Sequence, residues 1–522
     1  MPATSPAGLS RRGFLAATGG LSLASLLGLN GCGDSSSGSG SGSGGSVDNL
    51  ALLLPGDAPK GWDAVLAKVN EKLKKDLGFT ISPQFIAWSN YQQQSLLKFT
   101  AGEKFDTALQ ARWLNMIQLV ASKSLVPVGD LIAKYPNLSK TLDSQLLEQN
   151  KWSGKLYGIP QVNSAARLHH FTVRQDLADK LGVGDLSTFD QLEKFWYDVK
   201  QKEKITPVGI SSNMPDLLVA FAPVGWLNQH DWENPHVSVQ TFSGGSFPFY
   251  LAQDGKTTGS AHPIPFWEAP GVLDALRTVR KYYLDGIINK DALNVDSSTI
   301  GTQFESGRIS TRWAMTDGLS SQALAPLRKA VPGAQIANVI PLGGGKGAKP
   351  NQTFQADNFV VLNVKGKSNE RAMQLEDWVS IKENHDLLSY GVEGKDWKPV
   401  GTDKFEQLSQ YAFPGFALCW RQKLEKKIKD ITPTEEAWFD WAQDYNNFTV
   451  DPYASFVPDV TPVKRQDSQV SAAMTQYGNP LWIGAVDVDK GLDSLKKAVD
   501  KAGLADLQAE MEKQANAYLK GA

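Results

Sequence analysis

The chain has 522 residues, 41% of them hydrophobic, which is more than one ordinary core can absorb and calls for two or three domains. Lys and Arg number 53 against 55 Asp and Glu, so no basic field exists to recruit nucleic acid. Two cysteines, Cys32 and Cys419, exclude a disulfide framework, and nothing beyond the first thirty residues is long and apolar enough to span a bilayer as a helix.

In chain order, Ser10-Arg11-Arg12-Gly13-Phe14-Leu15 opens a short apolar run that ends in Leu29-Asn30-Gly31-Cys32. A charged start, a short apolar segment and small residues before a cut are the parts of an export signal. The Arg pair followed by Phe-Leu resembles a twin-arginine signal, and Leu-x-Gly-Cys resembles a lipobox. Phe14 to Leu29 is too short and too rich in Gly and Ser for a transmembrane anchor, which needs about 20 apolar residues. Residues 1–31 are therefore expected to be removed and Cys32 to carry lipid. Residues 32–48, nearly all Ser and Gly from Ser35 to Ser46, are expected to be a flexible tether reaching about 20 Å.

The body opens on Asn49 to Leu54, a buried strand closed by Pro55-Gly56. Trp62, Val65, Leu66, Val69, Leu73 and Leu77 recur at helical spacing. Phe79, Ile81 and Phe85 alternate as in a strand, Tyr91 to Thr100 reads as a helix ended by Gly102, and Phe105 to Gln110 is a short strand. Strand, helix, strand, helix, strand predicts a parallel α/β layer, in which ligands sit beyond the carboxyl ends of the strands. Those ends carry Trp88-Ser89-Asn90-Tyr91 and Arg112-Trp113.

Further on come Gly154-Lys155-Leu156-Tyr157-Gly158-Ile159-Pro160 and Arg174-Gln175-Asp176-Leu177-Ala178-Asp179-Lys180-Leu181-Gly182. Thr188-Phe189-Asp190-Gln191-Leu192 follows, with Thr188 a plausible N-cap. Then come Tyr282 to Asn289, Phe304-Glu305-Ser306-Gly307-Arg308, and Trp378-Val379 through Ser389 to Trp397. In this order they resemble the family 1 extracellular solute-binding proteins of ABC transporters, and the last stretch resembles the large lipoprotein branch associated with oligosaccharide and alginate uptake. The resemblance covers roughly Leu50 to Leu519.

The resemblance implies an α/β, two-lobed, periplasmic-binding-protein-like fold with discontinuous lobes joined by crossing strands. Lobe 1 is expected at 49–160 plus 341–390, and lobe 2 at 161–340 plus 391–522. The stripe Leu504, Leu507, Met511, Ala515 and Tyr518 suits a terminal helix packed on a lobe. Some large members carry a calcium loop. Here the comparable stretch, Asp198 to Lys204, is rich in lysine, whereas calcium takes six to eight oxygens, so no metal and no cofactor are expected.

Fifteen tryptophans are the unusual count. Each is by default a core residue, but an indole also offers a broad face to the apolar C–H face of a sugar. Trp88, Trp113, Trp226, Trp267, Trp313 and Trp420 are candidate platforms. Sugar hydroxyls both donate and accept, which suits Asn90, Arg112, Arg312, Asp317, Gln355, Asp357 and Asn358. Against this, Asp357 and Asn358 can simply make a turn, and Arg312 can pair on the surface.

His169-His170 point to opposite faces of a strand and make a poor metal site. Gly343-Gly344-Gly345-Lys346 has the wrong spacing for a phosphate loop, and neither a Gly-x-Ser-x-Gly elbow nor His-Glu-x-x-His occurs. Cys419 beside Trp420 reads as a small core residue. The expectation is a monomeric lipoprotein that captures a carbohydrate and delivers it to a permease, without catalysis. The competing reading is a surface-anchored glycosidase or polysaccharide lyase.

Overall fold

The computed structural model describes residues 48–522, except 222–236, 239–241, 243–248, 254–259, 341–350 and the single positions 153, 167, 185, 213, 270, 317, 353, 452, 454 and 522. Cys32, Trp226, Asp317 and Gly343 to Lys346 lie outside the described residues. Among the described residues no helix is long and apolar enough to cross a membrane.

Two sheets organise the body. The first has five strands in the order Thr80–Ile86, Asn49–Pro55, Thr107–Gln110, Asn358–Leu362 and Ile159–Gln161. Its opening three strands pair in parallel, as the strand–helix alternation predicts. The helix Trp62–Leu77 buries Trp62, Val65, Val69 and Leu73 on one face and ends on Gly78, whose left-handed backbone (φ 79°) caps it. The next helix begins at Trp88, one turn before the expected start at Tyr91.

The fourth strand of this sheet comes from far along the chain. Asn358–Leu362 runs antiparallel between Thr107–Gln110 and Ile159–Gln161. The Gly158 of the Gly-Lys-x-Tyr-Gly-x-Pro stretch explains itself here. A Cβ at Gly158 would lie 2.9 Å from Phe359 Cβ and 3.0 Å from Val361 Cγ1, so a side chain would push the returning strand away. Asp106, 1% exposed, ties the return down, its carboxylate accepting from the backbone N–H of Ala51 at 2.8 Å and from that of Lys367 beyond the returning strand.

The second sheet orders Ile336–Val339, His169–Arg174, Ile309–Met315 and Thr206–Val208. Helix Phe189–Lys202 packs beneath it, opened by a capping box in which Thr188 and Gln191 bond each other's backbone. Asp198 falls inside this helix and pairs with Lys194 and Lys202, so the stretch compared with a calcium loop is helical through Lys202. Leu504, Leu507, Met511 and Ala515 of the terminal helix Leu504–Leu519 are buried in the core of the second sheet.

Each sheet has its own hydrophobic core. The first gathers residues from Leu50 to Val162 and from Ala356 to Cys419, and the second runs from Phe171 to Val339 and from Tyr453 to Ala515. Tyr411, Phe413, Ala417, Leu418 and Cys419 thus pack in the first core, whereas the expected boundary assigned everything after 390 to the second lobe. Their anchor is visible: the Tyr411 hydroxyl donates to the Leu388 carbonyl at 2.7 Å, holding this stretch on helix Lys382–Tyr390. A smaller cluster of Ala166, Leu168, Ile340, Phe354, Ala442 and Phe448 lies where the chain passes between the two sheets.

Helix Pro433–Trp441 is fixed to the second lobe by a buried carboxylate. Glu435, 1% exposed, accepts from the N–H and Oγ of Ser320 at 2.6 Å each, and from the N–H (2.8 Å) and Oγ of Ser321. Glu435→Gln replaces one acceptor oxygen with an amide donor facing other donors. It is expected to destabilise the protein by about 1–3 kcal/mol, read as a lower midpoint in urea denaturation.

Candidate functional site

The aromatic residues at the carboxyl ends of the first sheet do come together. Trp88 follows strand Thr80–Ile86 and opens helix Trp88–Thr100; Trp113 follows strand Thr107–Gln110. Beneath them the Tyr91 hydroxyl lies 3.1 Å from the Leu53 carbonyl and 2.9 Å from that of Leu109, clasping the ends of two parallel strands, and burial pushes this phenol far above its ordinary range. Trp88 and Trp113 are 45% and 49% exposed, a large departure from how tryptophan is usually placed. Their ring centroids are 6.0 Å apart.

The row continues with residues from the far end of the chain. Phe416 stacks on Trp88 at 5.9 Å and 26°, and Trp420 meets Phe416 edge-on at 5.7 Å. Gly415 makes room for this. A Cβ there would lie 2.6 Å from Trp420 Cδ1, while the Gly415 carbonyl accepts from the N–H groups of both Cys419 and Trp420 at 2.8 Å. The indole of Trp420 therefore rests directly on backbone.

Trp420 forms part of the wall of a cavity of about 560 Å³. One side is built by Phe405, Gln407 and Gln410, by Tyr411 and Phe413 of the first core, and by Ser389, Tyr390 and Glu425. The other is built by Leu319, Ser321, Gln322, Leu324, Ala325 and Arg328 of the second lobe, and Asn163 of the first crossover also lines the cavity. The cavity is thus lined from both lobes, with aromatic faces mainly on the first. Its lining mixes apolar and aromatic faces with polar and charged side chains, the composition expected of a site for a polar small molecule.

Of the other residues singled out in the sequence, Asn90 is exposed on the first turn of the Trp88 helix. Arg112 turns onto Trp152, its guanidinium 4.5 Å from the ring, with one long bond to the Gln149 carbonyl at 3.5 Å; burial pulls its pKa down to about 10. Gln355 is half-buried, Asp357 exposed, and Asn358 buried at the start of the returning strand, opposite Gln161. Trp267 is 6% exposed in the core of the second lobe against Phe266, and the structure does not bring it to the other tryptophans.

Trp313 is half-buried. It donates its N–H to His169 Nδ1 at 2.8 Å, stacks on that ring at 5.5 Å, and borders a recess of about 30 Å³ shared with Arg312 and Ser211. His170, on the opposite face of the strand, lies 2.9 Å from Asn338 Nδ2. Burial, reinforced by Arg312 and His169, pulls it down to about 3, so it is neutral. Among the described residues no cluster of three metal-ligating side chains occurs.

Sequence reasoning missed Phe413 and Phe416. Their signal was present in Phe413-Pro414-Gly415-Phe416, a turn dipeptide with an aromatic on each side. It missed Asn163 and the 319–328 wall, which carry no local signature.

Comparison with known proteins places this architecture. The family model described as bacterial extracellular solute-binding protein matches residues 53–389. The chain belongs to this family. A second model, of a domain of unknown function, matches residues 452–520. A carbohydrate ABC transporter substrate-binding protein of Streptococcus pneumoniae is 23% identical, covering 89% of this solute-binding protein and 90% of the relative. Lipoprotein LipO of Bacillus subtilis is 22% identical, covering 94% and 97%. Among solved structures, the N-glycan transport solute-binding protein of S. pneumoniae superposes with a TM-score of 0.73 at 20% identity, covering 91% of this chain and 99% of that one. The alginate-binding protein AlgQ2, solved without calcium, gives 0.63 at 15% identity, covering 90% and 98%. These likenesses show a two-lobed solute-binding fold.

Behind the cavity wall His385 is fully buried, with Asp386 Oδ1 3.1 Å from Nδ1 and Glu425 Oε1 3.2 Å from Nε2. Burial alone would lower its pKa, but the two carboxylates outweigh it and hold the imidazolium above its ordinary range. A group whose folded-state pKa is raised stabilises fully below its unfolded value, about 6.5 for histidine, and loses that contribution as pH rises through the folded value. The stability difference between the native protein and His385→Gln is therefore expected to be largest in mild acid and to shrink with rising pH, as read from urea midpoints across pH 5–9.

Proposed function

We propose that this chain is the lipid-anchored, extracytoplasmic binding subunit of an ABC importer and that it captures an oligosaccharide between its lobes. The observation that carries this reading is the row Trp113, Trp88, Phe416 and Trp420, exposed at its first two members and half-buried at its last two, which meets a cavity lined from both lobes. Adjacent aromatic faces suit the apolar faces of successive sugar rings, and Gln410, Asn163 and Arg328, with the amide oxygen of Gln407, supply donors and acceptors for hydroxyls. The carbohydrate part is supported by the names of the pneumococcal relatives.

Trp88, Trp113 and Trp420 are the ligand platforms in this reading, with Asn90 and Arg112 at the rim. Lobe 1 is taken as 49–160, the returning segment up to 390 and the 404–426 stretch that packs back on it. Lobe 2 is taken as 161–340 and the remaining C-terminal part. The lobes close by rotating about the crossovers, and the closed form docks on the permease as a monomer. Export through the Arg11-Arg12 signal and lipid on Cys32 place the protein on the outer membrane face, a reading supported by the Leu29-Asn30-Gly31-Cys32 register and by a relative named as a lipoprotein.

No catalytic step is assigned. Incubation with neutral oligosaccharides is expected to give stoichiometric binding and unchanged glycan by mass spectrometry; hydrolysis products would favour the glycosidase or lyase reading instead.

Trp88→Ala and Trp420→Ala are each expected to weaken oligosaccharide binding by about 2–4 kcal/mol, roughly thirty- to a thousand-fold, in isothermal titration calorimetry. Because Trp88 is nearly half exposed, its unliganded melting temperature should move little. Native affinity in both variants would remove the row from the site. Cys32→Ala is expected to shift the protein from the membrane fraction to the soluble fraction.

A further inference from the structure

Arg421 is the largest charged side chain with no exposed surface among the described residues. Its partners come from three parts of the chain. Nη2 donates to Glu376 Oε2 at 2.7 Å and Nε to Ser380 Oγ at 2.9 Å, both in the stretch formed by helix Asn369–Val379 and its end. Nη1 donates to Gln161 Oε1 at 2.9 Å and to the Trp420 carbonyl at 2.8 Å. The Arg421 backbone also bridges Val162 in parallel register. Gln161 is the last residue of strand Ile159–Gln161, where the chain leaves the first sheet for the second.

A buried ion pair is a poor device for stability alone. Removing two charges from water costs several kcal/mol per ion, and well-packed apolar replacements of similar volume are often neutral or stabilising. Burial pushes the Glu376 carboxyl up to about 7 even with Arg421 holding it down. What an apolar pair cannot supply is direction. The guanidinium is a rigid fork, and here its arms fix the root of a crossover and the main chain of a cavity-wall tryptophan at once.

We propose that Arg421 is a positioning residue: it sets Trp420 at the cavity wall relative to the first crossover strand, so that the platform and the path between lobes are held in one register. The consequence for binding rests on the reading of Trp420 as a ligand platform. The positioning itself does not.

The test uses the mature protein labelled with 5-fluorotryptophan, the Trp420 resonance being assigned by its loss in Trp420→Phe. Two variants are compared with the native protein: Arg421→Met combined with Glu376→Leu, which leaves no unpaired charge, and Gln161→Met, which removes the crossover tie while keeping the Arg421–Glu376 pair. Thermal melts establish that each is folded. The expected result is a shifted or broadened Trp420 fluorine resonance in both, with core residues such as Trp196 unmoved, and partial recovery in Arg421→Lys with Glu376 retained. Binding of Man5GlcNAc, the glycan in a solved complex of the pneumococcal N-glycan transport protein, should weaken about tenfold in the double variant. A native Trp420 resonance in either folded variant overturns the proposal. A native protein that fails to bind Man5GlcNAc or other oligosaccharides counts against the carbohydrate reading alone, because the fluorine resonance judges Arg421 without ligand.

Discussion

The hydrogen-bond ladder made by Asn358–Leu362 is the constraint on which the rest of this structure depends. Without that strand the first sheet is left in two pieces, because Thr107–Gln110 and Ile159–Gln161 pair with it and not with each other. Nearly two hundred residues, including the whole second sheet, lie between Gln161 and Asn358. The chain must therefore cross to the second lobe and come back before the first core can close. Buried polar groups enforce the return: Asp106 and Asn363 spend their side chains on backbone groups that a strand in any other place would leave unsatisfied.

The same constraint makes the first lobe a composite. Its sheet is completed by residues after 357 and its cavity wall by residues after 404, so the aromatic row joins side chains more than three hundred positions apart. Arg421 sits at the junction of these contributions. It reaches the helix after the returning strand, the last residue before the first crossing, and the tryptophan on the wall. A buried fork with four fixed acceptors is a geometric tie of a kind that apolar packing, which is non-directional, cannot provide.

This division explains what the sequence made legible. Local periodicity sufficed for the helix Trp62–Leu77, the capping box at Thr188, the parallel opening of the first sheet and the buried stripe of the terminal helix. The two-lobed fold came from the resemblance, since no local pattern says that Asn358–Leu362 belongs beside Gln110. Trp88 and Trp113 were distinguishable because they follow strand ends, where a parallel sheet exposes its loops. Trp267 and Trp420 were not: each has an apolar residue before it and a charged one after it, and one is enclosed while the other lies on a cavity wall because of residues distant in sequence. Cys419 and Trp420, adjacent in the chain, divide between core and wall. The 319–328 wall has no signature of its own because a surface becomes a wall only when another lobe faces it.

The two walls are chemically unequal, and that bears on how a ligand would act on this protein. The first lobe offers mutually packed aromatic faces, of which Trp88 and Trp113 are exposed, so in the proposed reading a sugar engages them before the lobes approach. The second offers Leu319, Ser321, Gln322 and Arg328, with Trp313 committed to His169. Interactions made equally in the open and closed forms add affinity but cannot shift the balance between them; only those that form on closure do so. In the proposed reading, stacking on the aromatic row thus holds the ligand, and the smaller polar set of the second lobe decides whether the lobes close on it. A ligand that satisfies the row but presents nothing to Gln322 and Arg328 would be retained in the open form, and the permease, which in this reading receives the closed form, would discriminate against it.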